Sequence, residues 1–514
     1  MTKSLASRLL ATARRHPRMV AVVDGDRRID YTGLAARVKG FAGFLHAQGL
    51  GAGERIAIAL PNSLEAVVAC YGSWLAGCVA VPLNAQARGR ELGAWLEHAG
   101  AKLLVHEVGN AEVEAGLAQA RVAPQRVVVG DGAGDAGLPP GGTHWQGAIG
   151  SAPVASVAHI FQPVATILYT SGTTGAPKGV TLTHANVVAN ADAIIEYLEL
   201  TQADSALSML PFYYSYGASV LHTHLAVGGR LVLQPNLVFP DVVVDVMARE
   251  RVTGFPGVAS MFSLLLDRVS LADHDLSAMR YMTQAGGAMA PGLIKRLRNA
   301  IPHARLFVMY GQTEATARLA WLPPERLDEK SGSAGKAIRG VRIEVRDDAG
   351  SPLAAGSPGE VWVHGPNVMA GYWNDPMATA LVMRDGWLRT GDMGHLDGEG
   401  YLYLDGRRSD MIKTGAHRVH PLDVEEVLFE LPGVLDAAVV GVDEPTLGQV
   451  VKVFIVAAGN QPLDADLVRA HCRSRLATYK VPRHVEFLAS LPRTASGKVR
   501  RVLLTEPDAA REWQ

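Results

Sequence analysis

The residues of this chain best suited to chemistry lie in one short run, Tyr169-Thr170-Ser171-Gly172-Thr173-Thr174-Gly175-Ala176-Pro177-Lys178-Gly179. Hydroxyl side chains among glycines, directly after the apolar stretch VATILY, suit the wrapping of phosphate by backbone N–H groups, hydroxyls and one ammonium. The bland alternative is a flexible Ser/Gly turn, and the ordered STTG-x-PKG arrangement argues against it. The run is not a Walker loop: Gly179 and Val180 follow Lys178, so no hydroxyl residue stands there to hold a metal.

Such a loop must be carried by regular elements. From about Ile56 short apolar runs alternate with amphipathic stretches, RIAIALP, LEAVVACYGSWLAG, CVAVPLN, ELGAWLEHAG and AKLLVHE, the rhythm of parallel α/β layering. Residues 109–153 gather Gly, Ala and Pro and read as a surface excursion. The rhythm resumes at VATILYTS and continues through HANVVANADAIIEYLEL and GRLVLQP, giving a second α/β layer like the first. After Gly335, VRIEVRD, GEVWVHG and GYLYLDGR are short alternating strands between glycine turns, expected to form a small β module beside the two sheets. A charged turn, DGRRSDMIK, then precedes a compact βα stretch, and a domain boundary is placed there.

Composition narrows the partners. The 514 residues are 48% hydrophobic and 19% charged, with 54 glycines and 28 prolines, which excludes disorder, collagen and coiled coil. Lys and Arg number 49 against 50 Asp and Glu, so no global field gathers nucleic acid or anionic lipid, and any anion site must be local. Cys70, Cys78 and Cys472 are too few and scattered for a disulfide framework or a metal knuckle, and favour a reducing, cytoplasmic setting. No stretch is long and apolar enough to suggest a membrane span. The Arg-rich N-terminus superficially matches a transit peptide, but Leu5, Leu9, Leu10 and Ala13 share one helical face that Pro17 closes.

The phosphate-type run resembles the signature of the adenylate-forming superfamily, which includes acyl-CoA synthetases, peptide-synthetase adenylation domains and beetle luciferases. Further matches follow in the family's order: Gly286-Gly287-Ala288, Tyr310-Gly311-Gln312-Thr313-Glu314, Thr390-Gly391-Asp392, Gly406-Arg407 through Lys413, and Pro492-Arg493-Thr494 with Gly497-Lys498. The resemblance implies an α/β fold: a large N-terminal domain, residues 1–405, of two α/β layers plus the β module, and a smaller mobile α+β C-terminal domain, residues 406–514, hinged about 407–410.

It also implies roles. ATP would activate a carboxylic acid, a reaction in which two anions meet and must be neutralised as pyrophosphate leaves. Glu314 is the expected Mg²⁺ ligand, since a cation bridging phosphates takes only one or two protein carboxylates. Thr313 would donate to the α-phosphate, and Thr170 to Gly175 with Lys178 would hold the triphosphate. Asp392 would accept from the ribose hydroxyls, with Arg407 beside ribose or phosphate. Gly286, Gly287, Ala288, Gly311 and Gln312 would frame the base, against which Tyr310 would offer an aromatic face, unless it is a buried core tyrosine. Lys498 would reach in from the small domain to bridge carboxylate and phosphate, then withdraw as that domain rotates. Ser409 aligns with the pivot, where relatives commonly carry Asp or Lys, and Gly415 with the bend beside the thiol tunnel.

The acid itself is less legible. The amino-acid-activating branch pairs an Asp with the substrate's α-ammonium, whereas Tyr213 aligns there and no acid is near, so an acid lacking a free α-ammonium is expected. Tyr214 stands where acyl-CoA ligases often carry His, and Gly287 completes the expected acid pocket. His222 and His224 read as satisfied core histidines. Arg469, Arg473, Arg475, Lys480, Arg483, Arg493, Lys498, Arg500 and Arg501 could form a basic face for the 3′-phosphate of coenzyme A or for an acyl carrier protein; a solvated helical face is the alternative. The expected protein is an AMP-forming acid–thiol ligase using coenzyme A. The rivals are an adenylating enzyme that loads a carrier's phosphopantetheine or an amine, and a nucleotide-binding protein without turnover. Oligomeric state is not legible.

Overall fold

The computed structural model describes residues 4–130, 138, 141–153, 163–170, 177–234, 237–414, 417–444, 448–458, 463–493 and 499–505. Ser171 to Ala176, Gly415 and Lys498 lie outside them.

The described residues form sheets of fourteen, eight and five strands. In the eight-stranded sheet, Arg55–Ala59 lies between Val79–Pro82 and Leu103–Glu107, all parallel, and Val79–Pro82 pairs in turn with Val164–Thr170. These strands are buried on both faces, which is why they read as near-continuous apolar runs. The Val164–Thr170 strand then turns back antiparallel onto Lys178–Thr183. At the N-terminus, Leu5–Arg15 is the expected helix, with Leu5, Leu9 and Ala13 buried against the large core.

The fourteen-stranded sheet has a parallel centre in which Tyr281–Gln284 lies between Gly254–Gly257 and Arg305–Tyr310. Its other half corrects one expectation. The β module is not a separate layer beside the sheets: Ser333–Ala337 pairs with both Ala320–Leu322 and Leu402–Arg407, so its strands continue the same ladder. The excursion is also partly regular. Ala111–Gln119 is a helix packed on Gly89–Ala99, and Gln125–Val129 extends the eight-stranded sheet. The two helices approach so closely that a Cβ on Gly93 would sit 2.6 Å from the Gly116 carbonyl, so the small residues that disguise this helix are those that let it pack.

The five-stranded sheet, with Ile412–Thr414 and the long hairpin Val434–Glu444 and Gly448–Ala457, has cores of its own around Val424, Val439, Val453 and Phe454. The Leu402–Arg407 strand runs through the 405/406 position and belongs to the fourteen-stranded sheet. The three cysteines are buried free thiols, and burial pushes Cys70 and Cys78 up to about 12 and Cys472 to about 11. Among the described residues no helix is long and apolar enough to cross a membrane.

Candidate active site

Parallel strands deliver their C-terminal ends to one edge, where ligands of open α/β sheets gather. Thr170 ends one strand and pairs with Lys178, which begins the next; the intervening loop residues Ser171, Gly172, Thr173, Thr174 and Gly175 lie outside the described residues. From Lys178 the ammonium lies 5.8 Å from the centre of the Tyr372 ring, and the Tyr372 hydroxyl donates to Glu314 Oε1 at 2.9 Å. Tyr372 reaches this place because its two-residue strand, Gly371–Tyr372, pairs with Thr181 and Val180. Burial first, and then the Glu314 carboxylate, push its phenol well above the usual tyrosine range.

Glu314 sits in a short 3₁₀ turn, Thr313–Ala315, half-buried, with its backbone oxygen held by the Met369 N–H at 2.9 Å. Its second carboxylate oxygen has no hydrogen-bond partner among the described residues. That oxygen fits Mg²⁺, which keeps most of its waters and takes one protein carboxylate beside phosphate. No group of three or more His, Cys, Asp or Glu is clustered for metal binding among the described residues, so any cation here would depend on the nucleotide for its remaining ligands. Gly311, just before, has no room for a side chain: a Cβ would lie 1.9 Å from the Ala317 carbonyl.

Tyr310 donates to Asp392 Oδ2 at 2.5 Å, and Arg407 Nε lies 2.7 Å from Asp392 Oδ1. Burial, followed by the adjoining carboxylate, raises the Tyr310 phenol well above its ordinary value. Burial works to lower the Arg407 pKa, but Asp392, Tyr310 and Glu314 together raise it. Tyr310 is thus both a core side chain and the clamp of Asp392. Opposite, Gly286, Gly287 and Ala288 are exposed, with Gly286 at a φ of +90° and open space around Gly287. Gln284 Nε2 donates to the Gly287 carbonyl at 2.8 Å and fixes this loop, while Gln284 Oε1 and Gln312 Nε2 are buried without partners.

Beyond Thr313 the site continues along the Ser215–Val227 helix. Asn62 ties the preceding turn to Leu210 and Phe212, and Gly217 admits no side chain because a Cβ would meet the Leu210 and Pro211 carbonyls at 2.3 Å. Ser215 Oγ lies 3.3 Å from Thr313 Oγ1. From there a cavity opens, lined on the helix side by Ser215, Ala218, Ser219 and His222. Tyr213 and Tyr214 pack their rings together 4.5 Å apart in the turn, outside that lining. His224 is the satisfied core histidine expected, bonded to Val220 and Tyr281, whereas His222 faces the cavity. Tyr372, Ser215 and His222 are the site side chains that sequence reasoning did not assign; none sits in a motif.

The basic run of the small lobe is largely neutralised. Arg475 pairs with Glu430, Lys480 with Asp423, Arg493 with Asp436 and Arg501 with Glu425, partners that lie far away in sequence. Arg408, beside the expected pivot Ser409, reaches back to Glu360 and Asp348 on the large lobe.

Comparison with known proteins agrees with this arrangement. The model of the AMP-binding enzyme family matches residues 9–373, and that of the AMP-binding enzyme C-terminal domain matches residues 423–498. A feruloyl-CoA synthase from Amycolatopsis is 35% identical over 97% of both chains. The o-succinylbenzoate CoA synthetase of Bacillus subtilis, solved with its acyl-adenylate intermediate, superposes with a TM-score of 0.84 at 30% identity, covering 97% of this chain and 98% of that one. An anthranilate CoA ligase solved with anthranoyl-AMP gives a TM-score of 0.91 at 26% identity, over 99% and 97%. The chain belongs to the AMP-binding enzyme family, the adenylate-forming enzymes, and the relatives it matches over nearly its full length include acid–CoA ligases and, at 30% identity and a TM-score of 0.88, the amide bond synthetase McbA of Marinactinospora thermotolerans.

Proposed function

We propose that this protein activates a carboxylic acid lacking a free α-ammonium with ATP and transfers the acyl group to coenzyme A. The carrying observation is convergence: Lys178 from the eight-stranded sheet meets Glu314, Asp392 and Arg407 from the fourteen-stranded sheet, with Tyr372 touching the first two. A carboxylate oxygen attacks the α-phosphorus, pyrophosphate leaves, and a mixed anhydride forms. Thr313 donates to the α-phosphate, and Lys178 and the glycine loop before it hold the departing phosphates. Mg²⁺ on Glu314 would supply neutralising charge. Asp392, oriented by Tyr310 and Arg407, accepts from the ribose.

Lys498 bridges carboxylate and phosphate in the first step. We place the hinge at 407–410, between residues 1–405 and 406–514, so that rotation there withdraws Lys498 and brings the bend at Gly415 and the thiol to the same carbonyl. The sulfur then forms the thioester and AMP leaves. The turn Pro211 to Gly217, with Tyr213 where the amino-acid-activating branch carries an Asp, offers no carboxylate to pair with an α-ammonium and favours an acid without one. Relatives matched over nearly their full length, the feruloyl-CoA synthase among them, act with coenzyme A, which favours that thiol over a carrier protein.

Pyrophosphate release across an acid panel, followed by mass spectrometry of products with coenzyme A, a pantetheinylated carrier or an amine, tests this. Acyl-CoA is expected. Adenylate that accumulates under saturating coenzyme A and passes only to carrier or amine overturns the acceptor; nucleotide binding without pyrophosphate release overturns catalysis. Lys498→Ala should abolish adenylate formation while sparing thioester formation from added adenylate.

A further inference from the structure

The turn that carries Glu314 is held in a conformation that threonine does not choose. After the 3₁₀ turn Thr313–Ala315, Thr316 takes φ +68° and ψ −63°, and the Ala317 N–H donates to the Ala315 carbonyl at 2.8 Å. A bond between residues two apart, around a centre of positive φ, makes a γ-turn of the rare and strained kind. The β-branched side chain at its centre makes it a clear outlier. Such strain persists only where the surroundings over-determine it.

Here the surroundings are one segment, residues 366–373. Asn367, 1% exposed, donates from Nδ2 to the Ala315 carbonyl at 3.1 Å and to the Arg318 carbonyl at 2.9 Å, so one amide spans both sides of Thr316. Its own backbone carbonyl accepts from the Thr316 hydroxyl at 2.7 Å. The amide cannot be turned over, because Oδ1 would then face two carbonyl oxygens. As it stands, Oδ1 is buried without a hydrogen-bond partner among the described residues, a cost that the two donations must outweigh. Asn190 also donates to the Arg318 carbonyl, at 2.9 Å. Without Asn367, therefore, the loss falls on Ala315, whose carbonyl would keep only the bond of the turn itself among the described residues.

The same segment reaches Glu314 directly. The Met369 N–H holds the Glu314 backbone carbonyl and the Tyr372 hydroxyl holds its carboxylate. Its other side is fixed to the eight-stranded sheet and the helix that follows. Asn186 Nδ2 donates to the Pro366 carbonyl at 2.7 Å, the Ala370 N–H to that of Thr181 at 2.9 Å, and the Trp373 N–H to that of Gly179 at 2.7 Å. Glu314 is thereby aligned on the strand that begins at Lys178. We propose that Asn367 is a positioning residue for adenylate formation: it holds the strained turn at Thr316 and, through it, the direction of the Glu314 side chain. The inference rests on the role given to Glu314 above.

The test separates the two half-reactions. Asn367→Ala should slow pyrophosphate release with ATP and the best acid of the panel by about tenfold to a hundredfold in kcat, while thioester formation from added acyl-adenylate and coenzyme A stays within about twofold of wild type. A merely structural role would lower the melting temperature and scale both half-reactions down together. Two backgrounds then identify the route. Beside Glu314→Gln, Asn367→Ala should add less than about twofold, because both act through one carboxylate. Beside Thr316→Gly, where glycine takes the positive φ freely, the loss caused by Asn367→Ala should shrink to less than about threefold. Should Asn367→Ala not fold, Asn367→Ser, which keeps a shorter donor, carries the same measurements with the same outcomes. Equal losses in the two half-reactions, full additivity with Glu314→Gln, or an undiminished loss beside Thr316→Gly overturns the inference and leaves the ligase reading standing. A wild type that releases no pyrophosphate with any acid, or a Glu314→Gln enzyme as fast as wild type, overturns the adenylation reading itself and this inference with it.

Discussion

At the nucleotide end of the cleft, Asp392 is gripped from two sides by Tyr310 and Arg407, and Tyr372 joins Lys178 to Glu314. Beyond Thr313, His222 borders a small cavity of small and apolar side chains and lies against the Tyr71 hydroxyl. In the proposed function the first region handles a ligand that never changes, so its charges can be paired and oriented before the nucleotide arrives. Such preorganisation stabilises developing charge without reorganisation during the reaction. The second region has no charged side chain in its lining. Charge is thus concentrated in the first region, and the second is built from shape and burial.

The sharpest way to break that contrast is at Glu314. Glu314→Gln keeps the shape and removes the charge, and should lower the rate of adenylate formation by about 10²–10³, the scale of losing a preorganised electrostatic contact. The loss should be the same for every acid. A loss that varied between cinnamate and octanoate would mean the two ends are not separable.

Tyr372→Phe comes next. It removes the donor that, among the described residues, orients the Glu314 carboxylate, a hydrogen bond to a charged acceptor worth about 1.5–3 kcal/mol. A fall of roughly tenfold to a hundredfold in kcat/KM for ATP is expected, with acid selectivity unchanged. Glu314→Gln/Tyr372→Phe should be little worse than Glu314→Gln alone, because both act through the same carboxylate.

These residues also mark what was legible. The parallel strand rhythm, the helix Leu5–Arg15 and the motif residues could be read because each is written in consecutive residues: a buried strand is an apolar run, and a phosphate loop is a local string. Tyr372 is no less placed in the site, yet it arrives by the register of a two-residue strand against Lys178–Thr183, which no local pattern encodes. The cavity is harder still. It exists because Ala191, Ala218 and Ser219 are small where larger residues would fit, and small residues on a helix look the same whether they line a void or admit a neighbour. The helix Ala111–Gln119 shows the other case: its small residues let it pack, and the sequence there reads as an excursion.

The buried ring of His222 should also show itself in stability. His222 is held at about 3 in the fold, against about 6.5 for an unperturbed histidine. Between those values the unfolded chain binds a proton that the folded chain refuses. The contribution is therefore complete above about pH 6.5 and is lost as pH falls through the interval, at about 1.4 kcal/mol per pH unit for this one group. Denaturant titrations between pH 4 and 6 should give His222→Leu a shallower slope than wild type by that amount, whatever its offset. Equal slopes would mean that the ring already titrates in the fold and is not the dry, neutral side chain its burial implies.

The smallest effect should come from an ion pair with nearly the geometry of the one in the cleft. Arg475 Nε lies 2.6 Å from Glu430, much as Arg407 Nε lies 2.7 Å from Asp392. The difference is the surroundings. The Asp392 side chain is 10% exposed, whereas Glu430 is 54% and Arg475 44% exposed, so water and salt screen the outer pair and long side chains must be ordered to make it. Arg475→Ala should cost well under about 1 kcal/mol of stability and shift KM for coenzyme A less than about threefold, a free-energy change of about 0.65 kcal/mol. A large loss confined to KM for coenzyme A would show that Arg475 exchanges Glu430 for the thiol's phosphates during turnover. The outer pair would then be a docking contact held in reserve, and pairing in the resting structure would no longer separate the two kinds of site.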